Sequence, residues 1–398
     1  MPDGRKQTVT ESQVIMELID NLHTPDAGYK AMMPEDPALY EKHQQLARLE
    51  RDLFSYWCNL VFRPEGGGRG SGGGGMSSLM GSIMGNNNDG EMSAAMKGFM
   101  QCMDKVDAAL LETSGPFFLG SDYPMMIDLI FVSHIERMLA SVAYWKGLQI
   151  RGSGRWKGID AWFDAFDQRD SYLGFKSDFY TNVMDIPPQY GPGYDGGFAN
   201  KREEYQAMIV GRDGNKSWNL PLEHDAGPLE PLFHGPPLPM CALDAAGISD
   251  YRASDPAAMA KACRQAAGWK LASNGVNVSR FAARGGSKGA KNPRKTFQAP
   301  LADPYANPDD SALPLVERTL QIVCEALLDD GDDHDSILSA LKVELSGAVS
   351  AVDAGVKADV MNSLAYLRDR VGVPRDMPLA AARHLRAHLN WATGVLLG

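Results

Sequence analysis

A glycine-rich basic segment is one part of the chain whose residue types could bind a charged ligand. It reads RGGSKGAKNPRK, and its cations are Arg284, Lys288, Lys291, Arg294 and Lys295. Clustered cations and glycine-freed backbone N–H groups attract phosphate groups or acidic surfaces. The segment does not match the P-loop pattern. Two interpretations stay open: a solvated loop, and a docking patch for an anionic partner.

Two histidines, His384 and His388, are four residues apart, a spacing that can ligate a metal on one helix face. The glutamate of the H-E-x-x-H pattern is absent, and Arg383 and Arg386 lie alongside. Neighbouring cations disfavour a metal ion. We therefore predict no metal site and expect a polar helix face.

The thiols offer no clear nucleophile. Five cysteines are scattered along the chain without a C-x-x-C pair or a Cys/His metal spacing, which favours a reducing compartment. The first of them, Cys58, follows Trp57 in a predicted helix, where core packing is the simpler interpretation. We assign no catalytic residue.

Composition excludes several classes of function. The formal net charge is -11 and the pI is about 5.2, which disfavours binding of a nucleic acid backbone. No apolar run approaches the length of a transmembrane helix, and the N-terminus is too polar for a secretory signal peptide. We expect a soluble protein that is not secreted.

Apolar periodicity predicts a mainly α protein. Helices are expected at 9–20, 34–62, 92–112, 125–140, 156–168 and 171–184, at the segment opened by Asp255 and Pro256, and in at least three places within 311–396. Residues 5–9 are the exception, as a strand. The glycine-rich residues 65–91 are predicted to be a flexible insertion, because so few apolar side chains cannot offset the cost of ordering. A domain boundary is expected near 190, before a proline-rich connector.

The block from Leu111 to Gly191 resembles the C-terminal helical domain of glutathione transferases. GPFFLGSDYPMMIDLIF looks like the turn into their central helix, with Asp128 as the structural cap in the first turn. The family usually has Ser or Thr three residues earlier, where this chain has Met125. The order ERMLASVAYWKGLQIR, WFDAFDQRDSY, KSDFY and DIPPQYG is most similar to the iota class of photosynthetic organisms.

The resemblance implies a ligand site upstream. Glu11 and Ser12 resemble the element that holds the γ-glutamyl end of glutathione: Ser12 and the first helical N–H groups would bind its carboxylate, and Glu11 its ammonium group. The alternative is a capping box made by Thr10 and Gln13, which needs no ligand.

The end of the central helix carries a second implied site. Arg137, Tyr144 and Trp145 lie where related proteins border the pocket for the electrophilic substrate. The same aromatic residues could instead be core, because they pack as well against protein as against an apolar ligand.

The resemblance also predicts a domain order. Residues 1–24 would be a remnant of a thioredoxin-like domain, 25–190 the transferase-like helical domain, 191–310 a connector with helices, and 311–398 a helical module. Most of the thioredoxin-like domain, with its nucleophile, is expected to be missing. The leading hypothesis is a plastid glutathione transferase-like protein whose longer form uses glutathione. The alternative is a non-catalytic assembly protein that binds a protein partner or forms a homodimer.

Overall fold

The computed structural model describes residues 9–23, 28–64, 92–211, 219–220, 222, 256–288, 307–331 and 333–398. The regular structure of these residues is helical, and no strand occurs among them, which confirms the predicted mainly α class. The α-helices are α1 (Ser12–Leu22), α2 (Pro37–Val61), α3 (Ala94–Leu111), α4 (Met126–Lys146), α5 (Lys157–Asp167), α6 (Asp170–Leu173), α7 (Phe179–Asp185), α8 (Pro187–Tyr190), α9 (Ala199–Ile209), α10 (Pro256–Ser273), α11 (Gly275–Ala282), α12 (Leu313–Leu328), α13 (His334–Val349), α14 (Ala354–Arg368) and α15 (Leu379–Leu397). Short 3-10 helices cover Phe118–Gly120 and Ala283–Gly285. The predicted insertion at 65–91 and the strand residues 5–8 lie outside the described residues.

The chain divides into two compact units. The first unit takes its residues from Met1–Leu139, Gln149–Gln168 and Tyr194–Gly197, and the second from Ala140–Leu148, Arg169–Gly193 and Phe198–Gly398. Helix α4 therefore begins in the first unit and ends in the second. The domain boundaries predicted at 24, 190 and 310 stay predictions.

The first unit is built on α2, α3 and α5. Helix α3 packs against both of the others, and the six apolar residues that recur at helical spacing along it are all buried: Met96, Phe99, Met100, Met103, Val106 and Leu110. An aromatic cluster joins α5 to the turn before α4, where Trp162 lies edge-on to Phe118 at 5.9 Å and to Phe166 at 5.1 Å between ring centroids. Burial of large apolar side chains at helical spacing explains why these segments form and hold this arrangement.

The helix predicted at 171–184 is two helices, α6 and α7. Asp178 interrupts it, because its side chain accepts the backbone N–H of Thr181 at 3.3 Å and so caps a new helix. The prediction of one continuous helix was wrong for this local reason: a short polar side chain that satisfies a free N–H group favours a helix start over a helix interior.

The second unit has a core of α10, α12, α13, α14 and α15. Helix α10 packs on α12 and α15, and α15 also contacts α13 and α14. Its fully buried side chains include Val316, Val323, Leu345, Val360 and Leu364. None of the described helices combines the length and the apolar composition that crossing a bilayer requires.

Candidate functional site

The start of α1 carries the residues predicted to bind glutathione. Glu11 is the N-cap residue, yet its side chain makes no capping hydrogen bond, and both Glu11 and Ser12 are exposed. The Gln13 amide donates to Glu17 at 3.0 Å instead of returning to the helix start. The Thr10 and Gln13 capping box is therefore wrong, and among the described residues no side chain caps the first N–H groups of the helix.

Helix α1 also has an apolar face without cover among the described residues. No residue of the helix is buried, and the exposed apolar side chains are Val14, Ile15, Leu18, Ile19 and Leu22. The helix is tied to the unit through Asp20, whose carboxylate accepts the N–H groups of Met32 at 2.9 Å and Met33 at 3.2 Å. An amphipathic helix of this kind normally buries its apolar stripe against another element.

Asp128 lies fully buried at the start of α4. One carboxylate oxygen accepts the N–H of Met125 at 2.9 Å, which is the half of a capping box that an acidic residue at this position supplies. The other oxygen accepts the Phe118 N–H at 3.0 Å and the Trp162 indole N–H at 2.7 Å. Burial raises the pKa of Asp128 to about 6, against the opposing effect of these donors. Asp128 therefore has a structural role, because its hydrogen bonds join the turn and α5 to the start of α4.

The predicted substrate-pocket residues lie along α4. Arg137 and Tyr144 are half-buried and Trp145 is buried. Trp145 lies against the backbone of Gly193, where an added Cβ would come within 2.2 Å of the indole ring. This packing accounts for Trp145 as a core residue of the second unit, which is the alternative that its sequence position left open.

The described cysteines are poor nucleophiles. Burial raises the pKa of Cys58, Cys102 and Cys263 to about 11 each, and it also raises the pKa of Cys324. A thiol reacts as its thiolate, so these thiols are less reactive than a free cysteine. Cys241 lies outside the described residues.

The polar face predicted for 383–388 was wrong, because His384, Arg386 and His388 are all buried in α15. The Nε2 atom of His388 lies 3.1 Å from Nε2 of His334, and its Nδ1–H donates to the carbonyl of His384 at 2.7 Å. Burial lowers the pKa of His388 to about 3 and that of His384 well below its usual value. No group of three or more potential ligands among the described residues is arranged to hold a metal ion.

Arg386 is held by a hydrogen-bond network that its position in the sequence did not predict. Its guanidinium donates to Asp178 Oδ2 at 2.9 Å, to Thr181 Oγ1 at 3.0 Å and to the Val371 carbonyl at 2.7 Å. The Thr181 hydroxyl also accepts the Val373 N–H and donates to Asp178. One donated and two accepted hydrogen bonds use the full capacity of this hydroxyl. The network joins the start of α7 and the first half of α15 to the backbone at 371–373.

The basic segment divides into two kinds of environment. Lys288 lies beside Ser311, with its Nζ 3.3 Å from the hydroxyl, and its backbone N–H donates to Asp309 at 2.9 Å. Arg284 lines a separate cavity of the second unit. Lys291, Arg294 and Lys295 lie outside the described residues, so the docking patch stays a prediction.

Comparison with known proteins gives no independent family assignment. No protein-family model, curated protein or solved structure matches this chain. The resemblance to glutathione transferases therefore rests on the sequence motifs from Glu11 to Gly191.

Proposed function

We propose that this protein supplies the helical part of a glutathione transferase-like protein, in which the start of α1 holds the γ-glutamyl end of glutathione. The observation that carries the proposal is the uncapped start of α1, with Glu11 and Ser12 both exposed. Free N–H groups at a helix start bind a carboxylate, and a glutamate beside them pairs with an ammonium group. The γ-glutamyl end of glutathione presents both groups together.

The apolar face of α1 supports the same proposal. The resemblance implies that α1 belongs to a thioredoxin-like domain, which contains a β-sheet. The exposed Val14, Leu18 and Ile19 form a stripe suited to such a sheet. The resemblance implies that such a domain also supplies the catalytic thiol or hydroxyl. Burial raises the pKa of the four described cysteines of this chain, which makes them weaker candidates for that role.

The test begins with the protein purified from its source. Its intact mass is measured, and the same sample is passed over immobilised glutathione and eluted with free glutathione. We expect retention and specific elution, with a mass above that of the 398 residues. A protein of the 398-residue mass that is not retained would contradict the proposal.

Calorimetric titration of the retained protein with glutathione then tests the residues. We expect Glu11→Gln and Ser12→Ala each to weaken binding about tenfold, the loss of one charge-assisted hydrogen bond. The matched controls are Glu41→Gln and Ser133→Ala, which change exposed residues on other helices. Equal effects of the site and control variants would show that α1 does not bind glutathione.

A non-catalytic assembly role is the second candidate, and the uncovered stripe of α1 is the observation that favours it. In that case a protein partner, rather than a thioredoxin-like sheet, covers Val14, Leu18 and Leu22. Replacing Leu18 and Leu22 with Gln would then release a co-purifying partner. Loss of glutathione retention with no change in partners would favour the transferase proposal instead.

A further inference from the structure

The second unit contains a cavity of about 810 Å³ that the transferase hypothesis does not use. It is bordered by the end of α10, by α11, by the end of α14 and by the segment 370–377 that leads into α15. Pockets for small organic ligands have volumes of this order. The cavity is therefore large enough for a ligand rather than for a few water molecules.

Part of the cavity lining is apolar. Leu271, Phe281, Leu367, Val371 and Leu385 line it, and four of them, all but Phe281, are buried members of the unit's hydrophobic core. Apolar surface of this kind gains free energy when an apolar ligand body displaces water from it. An inorganic ion would leave this surface uncovered.

The charged part of the lining is mainly cationic, although the chain as a whole carries a net charge of -11. Its charged residues are Lys270, Arg280, Arg284, Arg370 and Arg375 against the two carboxylates of Asp185 and Asp376. Those carboxylates already pair with one cation: Arg375 lies 3.1 Å from Asp185 and 3.0 Å from Asp376. Among the described residues, the other four cations form no direct ion pair, and Arg370 has Asp369 and Asp185 as more distant negative neighbours.

Two of these cations have unsatisfied donors. The Nε atoms of Arg284 and Arg370 are buried and have no hydrogen-bond partner within the described part of the chain. Because these Nε atoms are enclosed by protein, a ligand would take its hydrogen bonds from the terminal guanidinium nitrogens, which favour anionic oxygen acceptors. A carboxylate, sulfonate or phosphate group provides several such oxygens.

The two guanidinium groups are also held in place before a ligand arrives. Arg284 lies over Phe281 at 5.1 Å, Phe281 contacts Tyr366 with ring centroids 5.3 Å apart, and Arg370 lies over Tyr366 at 3.7 Å. This stack joins α14 to the end of α11. Stacked arginines lose less side-chain freedom on binding than free ones, which favours affinity for an anion.

The close approach of Gly285 fixes the stack further. A Cβ at this position would lie 2.5 Å from Cβ of Tyr366 and 2.6 Å from the carbonyl oxygen of Asn362. Only glycine permits this separation between the 3-10 helix and α14. The position of Arg284, the residue before Gly285, relative to α14 is therefore set by the backbone.

We propose that this cavity binds an amphipathic organic anion, whose apolar or aromatic body covers the hydrophobic lining and whose acidic group is stabilised by the cations of the lining, Arg284 and Arg370 among them. Arg280 and Lys270 at the exposed rim attract the anion. The site lies in the second unit and does not depend on glutathione binding at α1.

Two fluorescent probes that share an aromatic body test the proposal on the full chain. Anilinonaphthalene sulfonate carries one negative charge, and phenylnaphthylamine is uncharged. We expect the sulfonate to bind at least tenfold more tightly at low salt. Equal affinity for the two probes, or no binding of the sulfonate, would overturn the proposal.

Variants assign the binding to the cavity. Arg284→Gln and Arg370→Gln should each weaken sulfonate binding about tenfold and leave the uncharged probe within twofold. Arg280→Gln, at an exposed side chain, should weaken it several-fold without any effect on folding. The matched control is Arg48→Gln, an exposed arginine of α2. Sulfonate affinity unchanged in Arg280→Gln and Arg284→Gln would place the probe elsewhere and overturn the assignment.

Two further arms separate this site from other sources of binding. Inorganic phosphate should compete with the sulfonate only at much higher concentration. If phosphate binds as tightly as the sulfonate probe, the apolar lining residues do not contribute to binding and the proposal is overturned. Glu11→Gln should leave sulfonate binding unchanged, and Arg284→Gln should leave glutathione binding unchanged. A shared effect would contradict a separate site.

Discussion

The ion pair between Arg386 and Asp178 should be one of the most costly polar contacts to break in the second unit. The Arg386 side chain is fully buried and that of Asp178 is 6% exposed. Arg386→Met leaves a buried carboxylate without its cation, and Asp178→Asn leaves a buried cation without its carboxylate. Each change should lower the free energy of unfolding by about 3–5 kcal/mol.

The double variant separates the pair from the general cost of substitution. Once Arg386→Met has removed the cation, Asp178→Asn no longer leaves a charge unpaired. We therefore expect the double variant to lose less free energy of unfolding than the two single variants lose together, with a coupling energy of about 1–3 kcal/mol. Asp178→Asn still keeps one oxygen that can accept the Thr181 N–H.

The measurement is urea unfolding followed by circular dichroism, together with hydrogen exchange of peptides from α15. Hydrogen exchange reports the second unit separately, which matters because two units need not unfold together. The matched control is Arg318→Met, which removes a surface ion pair with Glu344 and should cost less than about 1 kcal/mol. A cost for Arg386→Met equal to that of the control, or full additivity in the double variant, would refute the reasoning.

Three other outcomes are expected from burial and geometry. Asp128→Ala should lower the free energy of unfolding by roughly 3–6 kcal/mol, because it leaves three N–H donors unpaired; Asp128→Asn, which keeps one acceptor, should cost less. As the folded state holds His384 and His388 neutral, the unfolded state binds more protons below about pH 6.5. As the pH is lowered from 6.5 to 4, the free energy of unfolding measured in urea should therefore decrease by about 1.4 kcal/mol per pH unit for each histidine. His388→Gln should lessen this slope, and an unchanged slope in this variant would exclude His388 as a source of the pH dependence. Finally, alkylation at pH 8 mapped by peptide mass spectrometry should label Cys58 about a hundredfold more slowly than free cysteine, and equal rates would contradict its raised pKa.

Local patterns allowed much of the helical structure to be predicted. The apolar spacing of α3 agrees with the burial of six residues on one face of that helix, and the predicted ends of α2 lie within three residues of Pro37 and Val61. Prediction failed at 171–184, where the apolar pattern continues but the Asp178 side chain starts a new helix. Short-range capping and long-range packing compete there, and periodicity alone does not weigh them.

The candidate sites were less accessible to prediction. The sequence pointed to Glu11 and Ser12 as a ligand site, with a capping box as the alternative, and the contact of Gln13 with Glu17 excluded the capping box. Arg284 was recognised as a basic residue, whereas its stacking with Phe281 and its place in a cavity with Arg370 depend on the packing of α11 against α14.

By itself the sequence determined that this chain is mainly helical and which helix faces are apolar, because both follow from residues three or four positions apart. Only the tertiary structure decided which polar residues are buried. Arg386 meets Asp178 across 208 positions of sequence. A charged residue is tolerated in a core only where a partner from elsewhere in the chain satisfies it. Sequence spacing within α15 therefore favoured a solvent-exposed polar face, and the fold placed the same residues in the interior.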